Sequence, residues 1–304
     1  MRKALLWAST NPFLAERLPR MGFVKRATSR FMPGESSEEA LSEAGELATN
    51  GMGTLVTLLG ENLKSIDQAD AVLDEYLGVL QDASEAGLDL EISVKLTQLG
   101  LDFGPEVAQE RLTRLAASTP FLVWIDMESS DYVDLTLEIF RNVMLTNTNL
   151  GLCLQSYLRR TENDLESLLP LDPSIRLVKG AYKEPKEVAY PRKREVDEHY
   201  FRLSRILLEA RLNGGMARPV IATHDTRMIE SVNRMAAELG VGKDDYEFAM
   251  LYGIERREQH RLANSGHVVR VLISYGSSWF PWYMRRLAER PANVWFVAKQ
   301  LFRS

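Results

Sequence analysis

Residues 51–304 read as a closed (β/α)8 barrel, an α/β architecture of the TIM type, behind an N-terminal helical segment over 1–50. Three observations point there. Eight short apolar runs recur along the chain, each of strand length. Stretches with apolar residues at helical spacing separate them, and repeated strand–helix alternation is the mark of that barrel. The first run ends in LLGENLKS, without the GxGxxG turn that an open doubly wound sheet usually carries after its first strand.

The runs span 53–59, 90–96, 122–128, 149–156, 175–181, 219–224, 246–251 and 268–275. Ahead of the first, Ser36 and Glu39 match a capping box for a helix running to Asn50. The next helix covers about 65–86, with Ala69, Val72, Leu73, Tyr76, Leu77 and Leu80 on one face and Gly87 as its stop. Pro105 opens another in its first turn, where proline is tolerated. Helical patterns follow at 131–146, 160–169, 197–213, 225–239 and 254–264. The charged run KEPKEVAYPRKRE, 183–195, reads as a solvated loop after the fifth strand, with Pro185 and Pro191 keeping it out of a helix.

The chain has 304 residues, 45% hydrophobic and 26% charged, enough apolar material for one large core. Its net charge of −5 gives no basic stripe for nucleic acid. Cys153 is the only cysteine, so no intrachain disulfide or Cys-rich metal site is expected, and a reducing compartment fits. The apolar run at 4–8 is too short for a signal peptide, and no stretch reaches membrane-span length. A cytoplasmic location is expected, with peripheral contact at the inner face of the cell membrane left open.

Polar groups cluster where the strands end, the face on which barrel active sites gather. The ends carry Lys95, Asp126, Gln155, Lys179 with Tyr182, Thr223 with His224, and Tyr275. Singly, each has a structural reading as a solvated, capping or packing residue. Together at one rim they point to function. Arg176 is the sharpest case, because it sits inside an apolar strand and a buried charge without a partner is costly. Asp126 is its expected partner. The last helical stretch, WFPWYMRRLAERP at 279–291, sets aromatics around Arg285 and Arg286, with Glu289 one turn on to hold them. An arginine pair between aromatic walls suits a small carboxylate.

These pieces resemble the flavin-dependent proline dehydrogenases of the bacterial, monofunctional kind. The matching stretches are SVKL at 93–96, WIDME at 124–128, CLQSYLRRT at 153–161, RLVKGAY at 176–182, ATHD at 222–225, FAMLYG at 248–253 and YMRRLAE at 283–289. The resemblance implies a distorted barrel whose eighth helix lies over the mouth. It implies oxidation of L-proline to 1-pyrroline-5-carboxylate, with hydride passing from C5 to N5 of a non-covalent FAD, and a quinone-type electron acceptor. Lys95, Arg285 and Arg286 resemble the substrate-carboxylate clamp, and Glu289 the group that orients that helix. Asp126 and Arg176 resemble an essential pair, with Arg176 at the flavin N5 edge beside Met127 and Gln155. Val178, Lys179, Gly180 and Ala181 resemble the flavin-binding turn, and Thr223 and His224 further FAD contacts. Tyr182, Leu251 and Tyr275 resemble the walls around the substrate ring, with Tyr275 counted among the catalytic residues. No metal is implied. One departure stands out: Trp282 occupies a place where the family often has tyrosine, three residues before the arginine pair.

Two rivals fit the residues alone. One is a Schiff-base enzyme of the aldolase type using Lys95 or Lys179. The other is a non-catalytic barrel that binds an acidic metabolite. The yellow colour of a flavoprotein separates both from the first reading.

Overall fold

The structure, a computed structural model, describes residues 28, 30–60, 63–215, 217–280 and 283–284. Eight parallel strands close on themselves in sequence order, β1 pairing with both β2 and β8. They are β1 (Gly53–Leu58), β2 (Leu90–Val94), β3 (Val123–Ile125), β4 (Leu150–Gln155), β5 (Ser174–Val178), β6 (Arg218–Ala222), β7 (Glu247–Leu251) and β8 (Val268–Tyr275). All eight lie within or next to the apolar runs read from the sequence.

Helix α1 (Ser37–Thr49) precedes the barrel. Its capping box is formed: Glu39 N–H donates to Ser36 Oγ at 3.3 Å, and Ser36 N–H to Glu39 Oε2 at 3.2 Å. The outer layer comprises α2 (Ile66–Glu85), α3 (Pro105–Ala117), α4 (Val133–Met144), α5 (Thr161–Leu168), α6 (Lys193–Leu212), α7 (Thr226–Leu239) and α8 (Arg256–Asn264). Helix α6 starts earlier than its apolar pattern suggests. Glu195 reaches back to accept the Arg192 N–H at 3.2 Å, and this polar cap nucleates a first turn that has no apolar face.

The stretch at 183–195 is exposed over most of its length, as expected, but it is also docked: Ala189 pairs with Leu158 in an isolated antiparallel bridge and is buried. Glu184 accepts from Ser130 N and Oγ at 2.8 and 2.7 Å, tying this loop to the one after β3. Charged composition gave no hint of those backbone and side-chain partners.

Alternation along each strand sorts the barrel into two cores. Val56, Ile92, Ile125, Leu152, Ile175, Leu177, Ile221, Phe248 and Val271 belong to the large core, most of them packing outward beneath the helices. Each such side chain contributes on the order of 1.5–3 kcal/mol on burial. The inward residues form layers. At the N-terminal end, Arg218 and Arg270 pair with Glu91 and Glu247. Above them lies a small apolar layer of Leu55, Trp124, Val220 and Ala249. The C-terminal layer is polar.

Before the barrel, the segment at 31–35 packs against the start of the helical stretch that follows β8. Phe31 meets Tyr283 with ring centroids 5.9 Å apart, and Trp279 Nε1–H donates to Glu35 Oε1 at 2.9 Å. The residues expected to form the clamp and its wall, Trp282, Arg285, Arg286 and Glu289, and the helix expected over the mouth, lie outside the described residues.

Candidate active site

Arg176 points inward from β5 because it sits in register with Cys153 of β4 and Val220 of β6, and it is only 5% exposed. Its Nη2 makes a very short ion pair with Asp126 Oδ1 and donates to Ser93 Oγ at 2.8 Å. Ser93 in turn donates to the same Asp126 oxygen at 2.8 Å. The expected Arg176–Asp126 pair is thus formed. Ser93 was missed, although the signal was present. It lies on β2 two residues before Lys95, which follows the strand's end, and both face the cavity side, each within reach of Asp126. Lys95 Nζ stands 3.9 Å from the other Asp126 oxygen, leaving room for a third partner.

A cavity of 530 Å³ opens above this floor. Lys95, Asp126, Met127, Gln155, Arg176, Val178, Lys179, Gly180, Ala181, Tyr182, Thr223, His224 and Leu251 all line it. So do Thr57, Cys153 and Ser274, which sequence reasoning did not single out. Burial pushes the Cys153 thiol up, so it is neutral at physiological pH.

Several of these residues are held by specific bonds. Gln155 Nε2 donates to Met127 O at 3.1 Å, while Gln155 Oε1 is buried without a partner among the described residues. His224 Nε2 accepts the Leu251 N–H at 2.8 Å, which puts the proton of the neutral ring on Nδ1. Lys179 Nζ donates to Asp197 Oδ1 at 2.6 Å and Asp225 Oδ2 at 3.1 Å. Burial pushes both carboxyls up, but Lys179 and Lys193 pull them below the ordinary range. Asp197 comes from α6 and Asp225 from the end of ATHD, so no short spacing announces the cluster. Gly180 has φ +106, and a Cβ there would lie 2.1 Å from the Tyr157 ring. The close approach that demands glycine is therefore to Tyr157.

Tyr275 is a correction. It does not line the cavity. On β8, Leu272 and Ser274 point inward, and Tyr275 points outward with Ile273. It is 1% exposed, and its hydroxyl, pushed far up by burial, has no partner among the described residues. A sequence position at a strand's end gives the rim but not the face. Glu128, from the same WIDME stretch, is also turned aside. It accepts from Thr97 N at 3.1 Å and Thr97 Oγ1 at 2.6 Å, and burial pushes its carboxyl up.

Fold and site together define a barrel enzyme that presents cations to a small ligand at its C-terminal mouth. A family model described as proline dehydrogenase matches residues 40–299, and the chain belongs to that family. It is 36% identical to proline dehydrogenase 1 of Bacillus subtilis subsp. natto, covering 100% of this chain and 99% of the relative. It is 37% identical to proline dehydrogenase of Deinococcus radiodurans, covering 99% and 98%. A crystal structure of proline utilization A (PutA) from Bdellovibrio bacteriovorus, inactivated by N-propargylglycine, matches with TM-score 0.81 at 26% identity. That match covers 95% of this chain and 36% of the other.

Proposed function

We propose that this protein oxidises L-proline to 1-pyrroline-5-carboxylate on a non-covalently bound FAD. Proline oxidation, the first step of proline catabolism, is the activity that family membership assigns. The single observation that carries the finer reading is the buried Arg176–Asp126–Ser93 cluster beneath a cavity edged by Lys95. It supplies a fixed cation below the cavity and a second cation for a substrate anion.

The residues present fit a flavin. A cavity of 530 Å³ is within the range for cofactor sites. Gln155 Oε1 is an orphaned acceptor at its wall, suited to a ring N–H. Met127, Val178, Gly180 and Ala181 offer surface for a flat ring, while Lys179, Thr223 and His224 supply polar contacts. Held by these residues, FAD would supply the acceptor for a hydride from C5 of proline. Arg176 stabilises negative charge at the floor, raising electron affinity, a usual means of tuning a cofactor. Lys95, Arg285 and Arg286 hold the carboxylate, and Tyr182 and Leu251 wall the ring. Such pinning gives a near-attack arrangement, which supplies much of the rate. The substrate amine must be neutral before reaction.

Electrons then pass to a quinone-type acceptor, with the protein cytoplasmic and in peripheral contact with the membrane's inner face. Among the described residues no helix is long and apolar enough to cross a membrane. The test is an absorption spectrum of purified protein followed by anaerobic proline. Flavin bands that bleach with proline are expected. A colourless folded protein, or flavin indifferent to proline, would refute the reading.

A further inference from the structure

We propose that Trp124 is a positioning residue for Arg176, its indole being the platform that fixes the guanidinium at the cavity floor, with Glu91 locking the platform from below. This rests on the flavin reading above. Trp124 on β3 and Asp126 just past its end both face inward, but Trp124 is fully buried and does not line the cavity. It can therefore act only through a neighbour.

That neighbour is Arg176, whose Cζ lies 5.1 Å from the indole ring centre. This is within cation–π range, and such contacts gain strength when desolvated. The two oxygen partners of Arg176, Asp126 Oδ1 and Ser93 Oγ, both meet the same nitrogen, Nη2. Contacts at one nitrogen fix a point and leave the guanidinium plane free to tilt about it. The Cys153 thiol adds only a weak acceptor. The indole supplies the surface that sets the plane.

The platform is itself held. Trp124 Nε1–H donates to Glu91 Oε2 at 2.7 Å, and Glu91 is 2% exposed. Glu91 Oε1 receives Arg218 at 2.5 Å, and the Arg218 Cζ lies 5.8 Å from the same indole. Gly151 on β4 completes the seat, since a Cβ there would fall 2.4 Å from the indole. A chain of contacts thus runs from the ion layer at the barrel's N-terminal end to the cation at the cavity floor. The direction of a charge–dipole contact depends on angle as well as distance, so a tilted Arg176 stabilises developing negative charge less well.

The test uses purified holoenzyme with Trp124→Leu, which removes the platform, and Trp124→Phe, which keeps a ring face but loses the anchoring N–H. Flavin content, melting temperature, flavin midpoint potential, kcat and KM for proline are measured together. For Trp124→Leu, flavin is expected to stay bound and the two-electron equilibrium to shift about tenfold toward oxidised flavin. That shift equals about 30 mV. Its kcat should fall about tenfold and its KM change less than twofold, because the carboxylate grip is untouched. Trp124→Phe should shift the same way by about threefold, and it decides the question should the leucine variant fail to fold. Unchanged potential in a yellow, folded variant, with kcat loss tracking melting temperature, would make Trp124 a packing residue only. A colourless wild type would overturn the flavin reading and this inference together; a yellow wild type with unmoved variants overturns this inference alone.

Discussion

Asp126→Asn isolates the electrostatics of the cavity floor. The change keeps the side-chain shape and removes the one carboxylate paired with Arg176 among the described residues. Arg176 is 5% exposed, so solvent can satisfy little of its charge. It would retain Ser93 Oγ at 2.8 Å and the Trp124 face at 5.1 Å. Breaking a buried pair by removing one partner costs about 3–5 kcal/mol. The Asp126 side chain is 22% exposed, so the lower end, about 3 kcal/mol, is appropriate. For 304 residues at about 2.1 cal/mol/K each, the unfolding entropy is about 0.6 kcal/mol/K, so the melting temperature should drop by about 5 °C. Scanning calorimetry reads this directly. The double variant Asp126→Leu with Arg176→Met should recover most of the loss, since apolar replacement of a buried pair is often neutral, yet it should not oxidise proline. A melting temperature within 1 °C of wild type for Asp126→Asn, about a fifth of the expected shift, would refute the reasoning and mean that Arg176 is satisfied elsewhere.

Gly180→Ala should lower stability by about 1–3 kcal/mol and disturb the cavity wall, because φ +106 is strained for alanine and its Cβ meets Tyr157; denaturant unfolding measures it, and no change would mean the Tyr157 ring swings away freely. His199 and His267 have pKa values pushed below 6.5 by burial. The unfolded chain then takes up protons first as pH falls, so their contribution is complete above about 6.5 and is lost below it. Melting temperature should accordingly be flat from about pH 7 to 8, then decline toward pH 5, and His199→Gln should flatten part of that decline. Asp197 and Asp225, both pulled down, should add a second loss below about pH 4. Arg285→Met and Arg286→Met should each raise KM for proline at least about tenfold with flavin retained, the size expected when one arm of a charged pair is truncated; unchanged KM in both would make the pair a solvated helix face.

Period and composition determined the barrel. Eight apolar runs with helical stretches between them leave few topologies once connections are short and right-handed, and the closed parallel order follows. Alternation within a strand also fixed that Arg176 and Val178 face one way, and spacing found the Ser36–Glu39 cap. What sequence could not decide was which end-of-strand residues meet. Tyr275 stood at the right rim on the wrong face, because where a strand leaves the sheet sets the count of alternations, and that point is fixed by pairing with β1. The partners of Lys179 come from residues 18 and 46 positions away, and Glu184 crosses 54 positions to reach Ser130. Only closure of the barrel brings them within bonding distance. The same holds for Trp124: its place in WIDME suggests an apolar strand residue, and its contacts with Glu91, Arg176 and Arg218 exist because four strands turn their inward side chains into one small space. Local pattern sets which side chains point inward; closing the ring of strands sets which of them touch.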